Sequence, residues 1–113
     1  MKVLLIHRLP LASFASTISE HVLAFPLYSD HDVTLLNVEL GLPEKLSSRE
    51  FDVIVLHYSL FGTHPFRLSD RFLDFLLAQR KTPKVAFFQD EHQYCQERFD
   101  FINKFNIDLV YSL

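Results

Sequence analysis

Glycine is nearly missing from this chain: Gly41 and Gly62 are the only two in 113 residues. Dinucleotide fingerprints and P-loops need glycine so that backbone can come close to a phosphate, and neither turn can be built here. Cysteine is represented by Cys95 alone, which excludes an internal disulfide and fits a reducing compartment. Basic clusters are lacking as well. Eleven Lys and Arg against 14 Asp and Glu leave a net charge of −3, so nothing tracks a phosphate backbone and nucleic acid is set aside as a partner. No apolar run approaches the roughly 20 residues of a membrane helix. The run after Met1 is broken at His7, Arg8 and Pro10, too soon for a signal-peptide core. These absences point to a cytoplasmic domain.

What is present is apolar and aromatic. With 49% hydrophobic and 22% charged residues the chain folds, as one domain over residues 1–113, and its twelve phenylalanines fill much of the core. Five apolar runs each end in a polar side chain: Lys2–His7, Asp32–Asn37, Phe51–His57, Lys84–Asp90 and Asp108–Ser112. Continuous rather than alternating apolar runs mark parallel strands covered on both faces. Helical spacing of Ile18, Val22 and Phe25 predicts a helix from Ser13 to Phe25, with Thr17 and Glu20 as a capping box and Pro26 as its stop. Residues 38–50 are irregular around Gly41 and Pro43, with a helical turn or two between Glu44 and Arg49. A second helix runs from Ser69 to Arg80 on Phe72, Phe75 and Leu76, stopped by Pro83. A third spans Gln93 to Phe105 and presents Cys95, Phe99, Ile102 and Phe105.

This alternation implies right-handed crossovers and a Rossmann-like, three-layer α/β fold, a five-stranded parallel sheet in the order 3-2-1-4-5. No helix follows the fifth strand in the sequence, so Leu109 and Tyr111 lack cover on one face. That bare face suggests an amino-terminal piece of a longer protein, or a partner seated on it, for instance a second copy meeting the last strand.

In open parallel sheets ligands bind beyond the carboxyl ends of the strands, where the polar run ends gather. His7 and His57 stand there, either as ligand contacts or as rim histidines tied to backbone. In the order 3-2-1-4-5 His7 lies beside Gln89 and Asp90; in the order 2-1-3-4-5 it neighbours His57 instead. Gln89, Asp90, Glu91 and His92 form the densest polar cluster. Their carboxylates either complement a helix macrodipole or act on a hydroxylated ligand, with Asp90 or Glu91 as general base. Ser13, Ser16 and Thr17 serve as helix caps or face an anion. Phe61, His64 and Phe66, in the 58–67 loop, either stack on a ligand or tuck under the loop as a satellite core. Asp90 and His92 lack zinc spacing, and no metal or cofactor is expected.

Lys2–His7, Phe87–Glu91 and Ile107–Ser112 together resemble the amino-terminal domain of GT-B glycosyltransferases, the bacterial kind that builds surface polysaccharides. The resemblance implies an acceptor-binding half that pairs with a C-terminal donor-binding domain absent here. The full enzyme would move a sugar from a nucleotide-sugar donor to a sugar or lipid-linked acceptor; this part alone would be inactive. It implies catalytic roles for Asp90 and Glu91 and substrate contacts for His7, His57, Gln89 and His92. The glycine turn that many of these enzymes carry after strand one is missing.

A second resemblance is to signalling modules of the receiver type, which share the alternation and the length. Phe51–His57 is similar to their third strand, but His57 stands where the phosphate-accepting Asp belongs. His7-Arg8 replaces the acidic pair after strand one, and no Lys follows strand five, so the resemblance implies a degenerate, protein-binding version. A flavodoxin-like cofactor binder would need a hydroxyl- and glycine-rich loop where His7–Pro10 stands.

Overall fold

The computed structural model describes residues 1–9, 16–61, 68–88 and 95–112. Five strands, β1 (Lys2–His7), β2 (Asp32–Asn37), β3 (Val53–Leu56), β4 (Lys84–Phe88) and β5 (Leu109–Ser112), form one sheet in which every pairing is parallel. Three α-helices lie between them: α1 (Ser16–Tyr28), α2 (Asp70–Ala78) and α3 (Cys95–Lys104). Short 3-10 turns occupy Val38–Leu40, Glu44–Ser48 and Tyr58–Leu60. The α/β three-layer class expected from the runs is the one observed.

The strand order is β2-β1-β3-β4-β5, which corrects the 3-2-1-4-5 expectation. The reason lies in chirality. The chain steps from β1 to β2 in one direction and then reverses across β1 to reach β3. A right-handed crossover that reverses direction must pass over the opposite face of the sheet. Leu46 and Phe51, from the β2–β3 connection, accordingly pack with α2 and α3 rather than with α1. A 3-2-1-4-5 sheet would keep that connection on the α1 side.

The two faces are therefore filled unequally. On one, Leu4, Ile6, Ile54, Leu56, Ala86 and Phe88 meet Phe72, Phe75 and Leu76 of α2 and Phe101 of α3 in the main core. Phe61 packs edge-on to Phe88 and Phe101, with ring centroids 4.6 and 5.4 Å apart. On the other, α1 is the only helix among the described residues, and the buried cluster shrinks to Val3, Leu5, Val22 and Val55. Leu109 and Tyr111, on that thin side, are 47% and 50% exposed.

Two helices depart from expectation. Helix α1 runs through Pro26 to Tyr28. The proline has no N–H to give the Val22 carbonyl, so this bond is missing from the last turn, and the helix ends two residues later. In α3 the face is Arg98, Phe101 and, just past its end, Phe105; Phe99 is 58% exposed and Cys95 is exposed. The helix closes with Asn106 in the left-handed region (φ 55°) and the Ile107 N–H on the Ile102 carbonyl at 3.0 Å. This closure fixes which turn faces the core. Among the described residues no helix is long and apolar enough to cross a membrane.

Candidate functional site

Parallel pairing brings same-face residues of neighbouring strands to one height. Ile6 pairs with Leu56, so His7 and His57 follow side by side at the carboxyl edge. The His57 N–H donates to the Ile6 carbonyl at 2.9 Å, carrying the ladder one residue past β3. Both rings are buried, His57 completely and His7 to 6% exposure. They project to the α1 side, where the helix supplies a third imidazole. His21 Nδ1 lies 2.7 Å from His57 Nε2.

A fixed donor sets the protons along this line. The Ser59 backbone N–H donates to His57 Nδ1 at 3.1 Å, so Nδ1 is the lone-pair nitrogen. His57 then carries its proton on Nε2 and donates it to His21 Nδ1, leaving the proton of His21 on its Nε2. The Ser59 hydroxyl oxygen sits 2.9 Å from His57 Nδ1 and accepts the Arg8 N–H at 2.9 Å. The relay thus ties β1, the turn after β3 and α1 together. His21 also packs against Tyr58 (centroids 5.2 Å apart) and edge-on to Phe25 (5.6 Å).

Burial favours the neutral forms of His57 and His7. The pKa of His57 is pushed down to about 3, first by desolvation and then by the nearby His21 and His7. That of His7 is lowered by burial, and its Nδ1 is buried with no hydrogen-bond partner among the described residues. The Tyr58 phenol is raised by burial. A Ser–His–His line has the composition of a hydrolytic triad, but a base this weak does not draw a proton from serine at neutral pH. Its Nδ1 is also already occupied by an amide.

The neighbouring strand end is tied down in the same manner. The Asn37 carboxamide accepts the Leu9 N–H at 3.1 Å and donates to the Leu9 carbonyl at 2.9 Å. Arg8 pairs with Glu39 at 2.7 Å, a half-exposed contact worth little stability. Among the described residues no group of three His, Cys, Asp or Glu is placed to hold a metal ion.

Of the residues singled out in the sequence, His7 and His57 come together at the strand ends. Gln89, Asp90, Glu91 and His92 lie outside the described residues, as do Ser13, His64 and Phe66. Sequence reasoning missed His21 and Ser59. A signal for His21 was available: it stands three residues after Ile18 and four before Phe25, on the apolar stripe of its helix.

No family model matches the chain, and no curated protein matches it in sequence. Its fold is similar to that of a response regulator CheY-like protein from Mesorhizobium loti. The match covers 98% of this chain and 84% of that one, with a TM-score of 0.57 and 12% identity. At that identity the likeness concerns the fold. It overturns the GT-B reading, since nothing in the comparisons points to a glycosyltransferase or to polysaccharide synthesis. The partners drawn from that reading fall with it: a sugar or lipid-linked acceptor, a donor-binding domain, and a second copy at the last strand. The physical cause is plain. Lys2–His7 and Ile107–Ser112 are apolar runs that any parallel sheet requires, and the more specific Phe87–Glu91 leaves the described residues after Phe88.

Proposed function

We propose that this chain is a degenerate receiver-like module that works in the cytoplasm by binding other proteins, without phosphotransfer of its own. The observation that carries the reading is His57. It stands where receivers hold their phosphate-accepting Asp, is completely buried, and has both ring nitrogens engaged within the protein. An imidazole held neutral by burial neither coordinates Mg²⁺ as a carboxylate does nor lies open to a phosphodonor. The β1 end offers His7 and Arg8 in place of the acidic pair that would complete such a site. The likeness in fold to a CheY-like protein supports the same reading, and a module without its own chemistry acts through its surface.

The test is incubation of the protein with acetyl phosphate and Mg²⁺, followed by intact mass and by 1H–15N NMR. The expected result is no phosphoryl adduct and no saturable shift of the His7, His57 or Ser59 amides. A stoichiometric adduct, or Mg²⁺-dependent shifts centred on those residues, would overturn the reading.

A further inference from the structure

We propose that the chain pairs with a second copy of itself through β2, the two strands running antiparallel about a twofold axis at Leu35. The inference does not depend on the receiver-like reading, and it concerns the edge of the sheet farthest from β5.

Among the described residues β2 ends the sheet order, with β1 as its one neighbour. Its register with β1 is unbroken from Asp32 to Asn37, so no bulge turns it away. Edge strands are often shielded by lysine, proline, a bulge or sheer shortness, and β2 uses none of these. The Asp32 N–H donates to the Met1 carbonyl at 2.9 Å, so the backbone groups of Asp32, Thr34 and Leu36 turn toward β1. Those of Val33, Leu35 and Asn37 alternate with them and point outward. A twofold axis at Leu35 lets all three bond: Val33 with Asn37 of the copy, Leu35 with its own image, and Asn37 with Val33. An axis one residue earlier sets Asn37 against His31, whose N–H is already held by Ser29 Oγ at 3.1 Å. An axis one residue later sets Val33 against Glu39, whose N–H is held by the Asn37 carboxamide at 3.1 Å.

Side chains agree with this register. Leu36 sits in the main core while Val33 packs against the cluster under α1, so Leu35 faces the α1 side, where it is 37% exposed. At the axis it meets its own image. Leu23 and Leu27, one turn apart on α1, are 45% and 70% exposed. They lie on the opposite side of the helix from His21 and Phe25, which reach His57 and Phe87. That puts them on the β2 flank of α1, where the twofold axis brings the α1 of the copy. Six residues give an edge about 20 Å long and about 10 Å thick, roughly 200 Å². The three leucines add about one and a half exposed side chains. The total stays well below the ~800 Å² per partner of a standard interface, so the dimer is reversible, with a dissociation constant on the order of 100 µM.

Charge sets the direction. The start of β2 carries exposed Asp30 and Asp32, and its far end lies beside Arg8, paired with Glu39 at 2.7 Å. An antiparallel copy brings the two aspartates toward that arginine, whereas a parallel one sets carboxylates against carboxylates. The edge is thus its own complement in free backbone groups, in apolar side chains and in charge. Self-complementarity of one patch is what a twofold contact between identical chains requires.

The test is sedimentation equilibrium of the 113-residue chain from about 10 µM to about 1 mM, where the mass should rise from 13.3 kDa toward twice that value. Amide hydrogen exchange at Val33, Leu35 and Asn37 should slow over the same range, while Thr34 and Leu36, turned toward β1, change little. In a half-labelled sample, NMR should find the α-protons of Thr34 and of Leu36 in the other copy in contact, a pair that the axis at Leu35 sets face to face. Leu35→Lys places like charges at the axis and should raise the dissociation constant at least about tenfold. Leu35→Pro removes the outward N–H without touching a bond to β1 and should do the same. Tyr111→Lys, at the opposite edge, should leave the dimer as it is. Circular dichroism checks folding, and the lysine variant, at a partly exposed site, keeps the test decisive if the proline variant unfolds. A chain that stays monomeric at about 1 mM overturns the proposal. So does a dimer that survives a folded Leu35→Lys, or one that Tyr111→Lys dissolves.

Discussion

Between His21 Nδ1 and His57 Nε2 there is room for one proton. A second, placed on His21 Nδ1, would face the His57 N–H across 2.7 Å, and His57 cannot turn its lone pair outward while Nδ1 holds the Ser59 amide. The folded pKa of His57, about 3, lies below its unfolded value of 6.5, so the unfolded chain takes up the proton earlier as pH falls. The stability that neutral His57 contributes is complete above pH 6.5 and is lost on descending toward pH 3. The slope approaches about 1.4 kcal/mol per pH unit, with His7 adding in the same direction. Urea denaturation at pH 8, 6 and 5 should show this decline, and His57→Leu should flatten it. His21→Ala, at pH 8, leaves the buried His57 Nε2–H without its acceptor and should cost about 1–3 kcal/mol.

At the level of elements, the short turn after β3 carries more than its length suggests. Tyr58–Leu60 and the following Phe61 are nearly all buried, and Phe61 joins β4 to α3. Phe61→Ala should lower unfolding free energy by about 3–5 kcal/mol in urea melts, since its ring is enclosed on every side. This turn was hard to see in the sequence. In the sequence Phe61 reads as a ligand-stacking residue or as core, and burial separates the two. The strands were legible because parallel pairing needs apolar side chains on both faces, so Lys2–His7 and Asp32–Asn37 stand out unbroken. Their order was not. It depends on which face the 38–52 connection crosses, and Leu46 and Phe51 would look the same in either topology. His7 and His57 were legible because each ends an apolar run. His21 was not, because a histidine on a helix stripe looks like any half-buried residue until a strand end is placed beneath it.

At the scale of the whole molecule, the receiver-like reading proposed above has a buried neutral histidine at the position of the phosphate acceptor. Restoring one carboxylate should not restore the chemistry. His57→Asp puts an acid into a water-free position beside His7 and Arg8, with no carboxylate pair for Mg²⁺. That variant should be less stable in urea and still take no phosphoryl group from acetyl phosphate by intact mass. The most direct test of the central claim is long-range 1H–15N NMR of the imidazole rings between pH 8 and pH 4. His57 is expected to keep a bare Nδ1 and a protonated Nε2, coupled to His21, down to about pH 4. A His57 ring that titrates near 6.5 with both nitrogens open to solvent would contradict it.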